Sequence, residues 1–357
     1  MQFLFVTYNT KKKFIIMAIN PIKKIAPLGF PWETNDPFLF CVHHEDFYPA
    51  GNENMGPATS LSGRSLGNDF TIKDGFRMYH GKKVPGFPAH PHRGFETVTI
   101  ARKGFVDHSD SLGAAGRFGE GDVQWMTAGK GVQHCEMFPL LNQEKDNPFE
   151  IFQIWLNLPK TKKMAEPYFS MLWNDTIPIY SYSDDNQKTT EVNIIAGEIK
   201  GTKAPTPAPD SWAAVPENEV AIWTIKMEAG AKWNLPQASE NVNRSIYFYK
   251  GSSLKVADQL IENYKAVHLL ASTETVIENV GGEEAFVLLL QGKPINEPVA
   301  QYGPFVMNSQ REIQEAYSEF QQNHFGGWPW PTADHVHDRS IGRFAKYVDG
   351  TIVEKKS

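Results

Sequence analysis

Apolar and polar residues in this chain alternate in short runs, and glycine, proline or asparagine interrupts them every several residues. That rhythm predicts many short strands rather than long helices. Phe38-Leu39-Phe40-Cys41-Val42, bounded by Pro37 and by His43-His44-Glu45-Asp46, reads as a first strand, and residues 20–35 before it read as an arm or loop. Pro49–Gly67 reads as loop, and Asp69–Ile72 and Arg77–His80 as short strands about the turn Lys73-Asp74-Gly75. Strands follow at Phe95–Ala101, Val123–Thr127, Val132–Met137 and Glu150–Leu158. Pro159–Pro167, polar and lysine-rich, reads as a linker. Beyond it the rhythm resumes through Glu191–Ile199, Val220–Met227, Arg244–Tyr249, Leu254–Val256, Ala266–Leu270 and Ala285–Leu290. Such spacing favours barrels or sandwiches over βαβ units, so the fold class is all-β.

One helix is expected. Ser309-Gln310-Arg311-Glu312 is a capping box, and Ile313, Ala316, Tyr317 and Phe320 then share one helical face. Gly326-Gly327 closes it, and Trp328–Ser357 reads as an irregular, partly mobile tail. The chain divides into an arm at 1–35, a first barrel domain at 36–165, a second at 166–308, and a helix with its tail at 309–357.

Composition narrows the function. Charged residues make up 21% of the 357 and the formal net charge is -6, so no electrostatic footprint for nucleic acid or an anionic membrane is present. The only cysteines, Cys41 and Cys135, exclude a disulfide framework and point to a reducing, cytoplasmic setting. Met1–Val6 is apolar but the basic run Lys11-Lys12-Lys13 follows it, the reverse of a secretory signal, and Phe14–Ile19 is too short to span a membrane. Met17 is an alternative initiator.

The chemistry gathers between Gly86 and Glu136. His90 and His92 are two residues apart, as are His134 and Glu136, and strand residues i and i+2 share a face. Two facing strands would bring three imidazoles and a carboxylate to one ion. Nitrogen and oxygen donors of this kind suit Fe(II), Mn, Co, Ni, Cu or Zn and leave coordination positions open. Parity alone admits Glu96 as well as Glu136, because Glu96 stands four residues after His92. Cys135, between His134 and Glu136, turns away from their face and reads as a small core residue. Phe95, Trp125 and Met126 read as barrel core, Phe87 and Pro88 as shaping the mouth, and His108 and Asp110 as lining the cavity or as surface. His335-Val336-His337 has ligand spacing but no partner pair and reads as a solvated feature of the tail; His43-His44 cannot share a strand face.

His90-Pro91-His92-Arg93-Gly94-Phe95-Glu96 and the run Gly121–Met137, with Gly129-Lys130-Gly131-Val132-Gln133-His134-Cys135-Glu136, closely resemble the signature of the pirin family of the cupin superfamily. Gly292–Val299 and Tyr302–Asn308 agree with that family's end-of-barrel motif. The resemblance implies a bicupin: two cupin-type β-barrels with one metal, in the N-terminal barrel only. Carried over residue by residue, it implies His90, His92, His134 and Glu136 as metal ligands, with Glu96 in a supporting or conditional place. The second barrel has no His-x-His, and its one histidine is His268.

Two functions follow from the resemblance. As an enzyme, the protein would be an Fe(II) dioxygenase of the quercetin 2,3-dioxygenase type, taking a catechol- or flavonol-like oxygen-donor substrate and O2, with Glu136, or else Glu96, as base. As a regulator, it would bind a protein partner through a surface that depends on the oxidation state of its iron, without direct nucleic-acid contact.

Overall fold

The computed structural model describes residues 20–355. The apolar run Met1–Val6, the basic run Lys11–Lys13 and the alternative start Met17 lie outside the described residues.

Ile22–Pro27 forms β1 and Phe38–Tyr48 β2. The loop expected after them runs on to residue 85: Asp69–Ile72 and Arg77–His80 meet only as the isolated bridge Asp69↔Tyr79. Then come β3 (Gly86–His92), β4 (Phe95–Lys103), β5 (Phe105–Asp110), β6 (Ala115–Gly119), β7 (Val123–Thr127), β8 (Val132–Met137), β9 (Asn147–Asn157) and β10 (Tyr168–Leu172). The second half supplies β11 (Ile179–Ser183), β12 (Thr189–Ala196), the small hairpin β13 (Glu198–Ile199) and β14 (Thr202–Lys203), then β15 (Ala221–Met227) and β16 (Lys232–Leu235). It continues with β17 (Asn243–Lys250), β18 (Ser253–Val256), β19 (Gln259–Glu262), β20 (Lys265–Leu270), β21 (Thr275–Asn279) and β22 (Ala285–Gly292). After the hairpin β23 (Ala300–Tyr302) and β24 (Phe305–Met307) comes the helix α1 (Gln310–Asn323), and β25 (Arg343–Lys346) and β26 (Ile352–Lys355) close the chain.

The sheets show an internal repeat. In the first half β2, β9, β4 and β7 lie side by side, and β3, β8, β5 and β6 form the opposing sheet. In the second half β15, β22, β17 and β20 follow the first order, and β16, β21, β18 and β19 the second. The molecule is thus two cupin barrels with one short helix. Their backs meet in a shared core: Val98, Ile100, Trp125 and Ile154 of the first pack with Ile222, Tyr247 and Leu288 of the second. The opposite, inward face of the second barrel is filled by Trp223, Ile246, Phe248 and Leu289. Among the described residues no helix is long and apolar enough to cross a membrane.

Both ends of the chain depart from the expectation. Residues 20–35 are not simply an arm: β1 pairs antiparallel with β20 of the second barrel, because Ile22 and Ile25 supply apolar side chains to that barrel's core. The tail is not irregular throughout: β25 pairs with β6 of the first barrel. The fully buried Arg117 anchors it, holding Asp107 at 2.6 and 2.7 Å and donating to the carbonyls of His337, Asp338 and Ile341. Nor is Pro159–Pro167 a free linker. Lys163 is buried, and its Nζ donates to Gly94 O, Asn157 Oδ1 and Val306 O at 2.8, 2.7 and 3.1 Å. The helix forms as its capping box predicts: Ser309 Oγ accepts from Glu312 N at 3.3 Å and Ile313 and Ala316 are buried.

Candidate metal centre

β3 and β8 are neighbours, with His90 directly opposite His134. His92, two residues further along β3, stays on the same face, and the three imidazole rings stand 4.5–4.9 Å apart between centroids. One nitrogen from each can be chosen so that all lie within 4.8 Å of one another. Two of the rings have a set orientation. A carbonyl only accepts, so His90 Nδ1 donates to Pro88 O (2.9 Å) and the His90 Nε2 lone pair is left free. His92 Nδ1 faces Pro304 O at 3.4 Å, and His92 Nε2 has no partner. Neither nitrogen of His134 has one.

Buried nitrogens without hydrogen bonds are rare and need an explanation. A metal ion supplies it. Burial lowers the His90 pKa to about 4 and holds His92 and His134 well below the ordinary imidazole value, so all three rings are neutral donors. Glu136 stands beside the three histidines: its Oε2 lies 3.8 Å from His134 Nε2 and accepts from Gln153 Nε2 at 2.6 Å, and its Oε1 accepts from Thr99 Oγ1 at 3.1 Å. Burial raises the Glu136 pKa, with His108, Thr99 and Gln153 pulling it down. Three neutral imidazoles and one carboxylate fit a divalent first-row ion and leave part of its coordination sphere free. Cys135 is turned away as alternation requires; it packs with Met55, Val84 and Met137, and burial pushes its thiol up.

Glu96 is not part of this set, and the expectation that it lines the site is corrected. The four-residue count from His92 assumes one continuous strand. Gly94, at φ +86°, breaks it: β3 ends at His92, β4 starts at Phe95, and the two lie in different sheets. On β4 it is Phe95 and Thr99 that face the histidines, Phe95 at 5.1 Å from the His92 ring. Glu96 faces the other barrel. Its Oε1 accepts from Trp125 Nε1 (3.2 Å) and Thr127 Oγ1 (2.7 Å), and its Oε2 from Ser211 Oγ (2.5 Å). Buried without a cation beside it, its carboxyl is raised to about 7.

His108 does line the site. It is fully buried, 5.5 Å from His134 between centroids, with Gln124 Nε2 on its Nδ1 at 2.9 Å and Asp110 on its Nε2 at 3.2 Å. The other histidines do not join. His337 is buried rather than solvated: its Nε2 meets His108 O at 3.0 Å, and its N–H donates to Asp107 at 2.8 Å, drawn in with the tail that Arg117 anchors. His43 meets Glu150 at 3.3 Å, and His44 packs edge-on to Tyr79.

Sequence reasoning passed over Thr99, Gln124, Gln153 and Trp155. A signal for them exists: Thr99, Gln124 and Gln153 each stand between two apolar neighbours in their strands, a sign of an occupied barrel interior. Phe40, Val42, Phe87, His90 and Gln153 are half-buried, and Phe40 packs against Trp155 at 4.2 Å between ring centroids.

The chain is also similar to known proteins. The pirin family model matches residues 51–156, and the model of the pirin C-terminal cupin domain matches residues 222–326. The chain is 34% identical to a pirin of Rattus norvegicus over 71% of its own length and 82% of that protein. It is 34% identical to a pirin-like protein of Caulobacter vibrioides over 67% of its own length and 80% of that protein. Among solved structures it is similar to a quercetin 2,3-dioxygenase from Acinetobacter baumannii, with a TM-score of 0.66 and 28% identity over 87% of this chain and 99% of that one.

Proposed function

This chain belongs to the pirin family, and from that premise we propose that it is a mononuclear iron dioxygenase acting on a catechol- or flavonol-like substrate with O2. His90, His92, His134 and Glu136 are the proposed ligands. The observation that carries the proposal is the set of buried, unpartnered nitrogens on His92 and His134, with the Glu136 carboxylate 3.8 Å from His134 Nε2. The solved relative named as a quercetin 2,3-dioxygenase supports the substrate class. A cytoplasmic setting is supported by the two free, buried cysteines.

Bound there, Fe(II) would supply electrons for O2 chemistry and lower the pKa of a bound phenolic or enolic hydroxyl. The chain does the rest. Glu136 takes the hydroxyl proton at Oε2, the carboxylate oxygen turned toward His134. Gln153 holds that carboxylate in place from one side and Thr99 from the other. Phe40 and Trp155, whose ring centroids are 4.2 Å apart, would stack against a planar ring and orient it. Aerobic incubation of the iron-loaded protein with quercetin tests the proposal: loss of flavonol absorbance with release of carbon monoxide is expected. No turnover by protein shown to be fully iron-loaded would remove the flavonol substrate.

A regulatory role has one observation in its favour. Arg93, next to His92, reaches the C-terminal helix: its guanidinium meets Glu319 at 2.7 Å and lies 4.5 Å over the Phe325 ring. A change in iron oxidation state would reach the surface by this path. Capture of one protein partner by the Fe(III) form alone, with no turnover of quercetin, would favour this role.

A further inference from the structure

The second barrel has a mouth of its own, and its chemistry is the reverse of the first. Where β3 and β8 carry the histidines and Glu136, the matching strands β16 and β21 point Trp233, Leu235 and Ile277 into the barrel core. No cation would be held there. At the end of the barrel where β17 begins, however, lies a cavity of about 490 Å³. Val220, Trp223, Pro236 and Ala238 give it apolar walls. Arg244 and Gln291 stand opposite each other on β17 and β22 at its base.

Arg244 is only 3% exposed. Its Nε donates to Gln291 Oε1 at 2.7 Å and its Nη1 to Pro236 O at 2.7 Å, both neutral acceptors. A guanidinium has five N–H donors, so three have no protein partner among the described residues. Among the described residues no carboxylate forms an ion pair with it. Glu219 lines the same cavity but accepts instead from Ser239 N at 3.1 Å, and Glu198 at the rim is paired with Lys203 at 3.4 Å. Burial brings the Arg244 pKa down to about 10, with Glu219 opposing, so the group keeps its charge at neutral pH. Glu219 acts on the guanidinium through the field alone, without touching it, so donors stay free for a direct partner. A planar fork with free donors, set in an apolar cavity of ligand size, is the complement of a carboxylate on an apolar body.

We infer that the mouth of the second barrel binds a small organic monocarboxylate, with Arg244 holding the carboxylate and the wall of Val220, Trp223 and Pro236 holding the apolar part. This site is separate from the metal centre and independent of the activity proposed for it.

The test is a calorimetric titration of the full chain with acetate, 4-phenylbutyrate and decanoate, alongside 4-phenylbutanol and 4-phenylbutylamine. Binding of 4-phenylbutyrate or decanoate at least tenfold tighter than the alcohol and the amine is expected. Arg244→Gln should weaken that binding at least tenfold. Ala238→Phe, which narrows the cavity without removing the guanidinium, should weaken it too and covers the case in which the Arg244 variant fails to fold. His92→Ala, which empties the metal centre, should leave it unchanged. No binding by any of the acids, equal binding of acid and alcohol, or binding indifferent to both cavity variants would overturn the inference.

Discussion

Ser211 of the second half and Glu96 of the first are joined by a 2.5 Å hydrogen bond in the buried seam between the barrels. Glu96 has no cation beside it, and burial raises its carboxyl to about 7. An unfolded glutamate titrates near 4.5, the ordinary value. Between the two values the folded protein holds a proton that the unfolded chain has lost, so stability from this group falls as pH rises from about 4.5 to about 7 and is flat beyond. Glu96→Gln removes the ionisation and keeps an acceptor for Trp125 and Thr127. Relative to the parent chain it should gain stability as pH is raised through that window, by a few kcal/mol at most. Urea unfolding of both proteins at either end of the window measures it; a constant difference would show that Glu96 does not titrate there.

The alternation at the metal strand can be tested in one pair of variants. His134→Ala should lose stoichiometric metal. Cys135→Ser, one residue away on the other face, should retain it while losing some stability from a newly buried hydroxyl, about 1–3 kcal/mol. Metal analysis of the purified proteins decides, and full retention by the His134 variant would contradict the ligand set.

Gln153 touches Glu136 and not the ion's proposed position. Removing such a support typically lowers metal affinity or activity about 10–100-fold. Gln153→Ala is expected in that range, with Gln153→Glu worse at neutral pH because it sets a second carboxylate against the first. Chelator competition reads the affinity directly.

Arg117→Leu leaves Asp107 buried and unpaired and frees three carbonyls of the tail. Loss of one partner of a buried pair costs about 3–5 kcal/mol. Early proteolytic cleavage after residue 330, with the N-terminal barrel otherwise resistant, is the expected outcome; a cleavage pattern like that of the parent would show that the tail is held by other contacts.

Much of the metal centre was legible because it is local. His90 and His92 share one strand, His134 and Glu136 another, and a period of two is enough to aim each pair. Glu96 was not legible by the same count, since Gly94 turns the chain at a left-handed φ where any Cβ would collide with the Val306 carbonyl. That collision partner lies far along the chain, and nothing near Gly94 announces it. The same holds for Lys163, whose lysine-rich surroundings look solvated, and for His337, which is buried only because Arg117 draws the tail down. The helix was legible to its cap, as its signals lie within four residues. Arg244 looks in sequence like an ordinary polar start to a strand; only the closed barrel shows that it faces inward beside Ile246 and Phe248.

The exchange of terminal strands bears on how the molecule is made. β1 emerges from the ribosome before any of the barrel it completes, and β25 emerges after all of the barrel it completes. The barrel with the three clustered histidines therefore has its edge closed late: the edge of β6 stays unpaired until Arg343–Lys346 has been synthesised. A ribosome stalled within the second barrel would hold the histidine strands already translated but the barrel's edge still open. Whether the histidine strands stand in an open or a closed barrel is thus decided by the arrival of Arg343–Lys346.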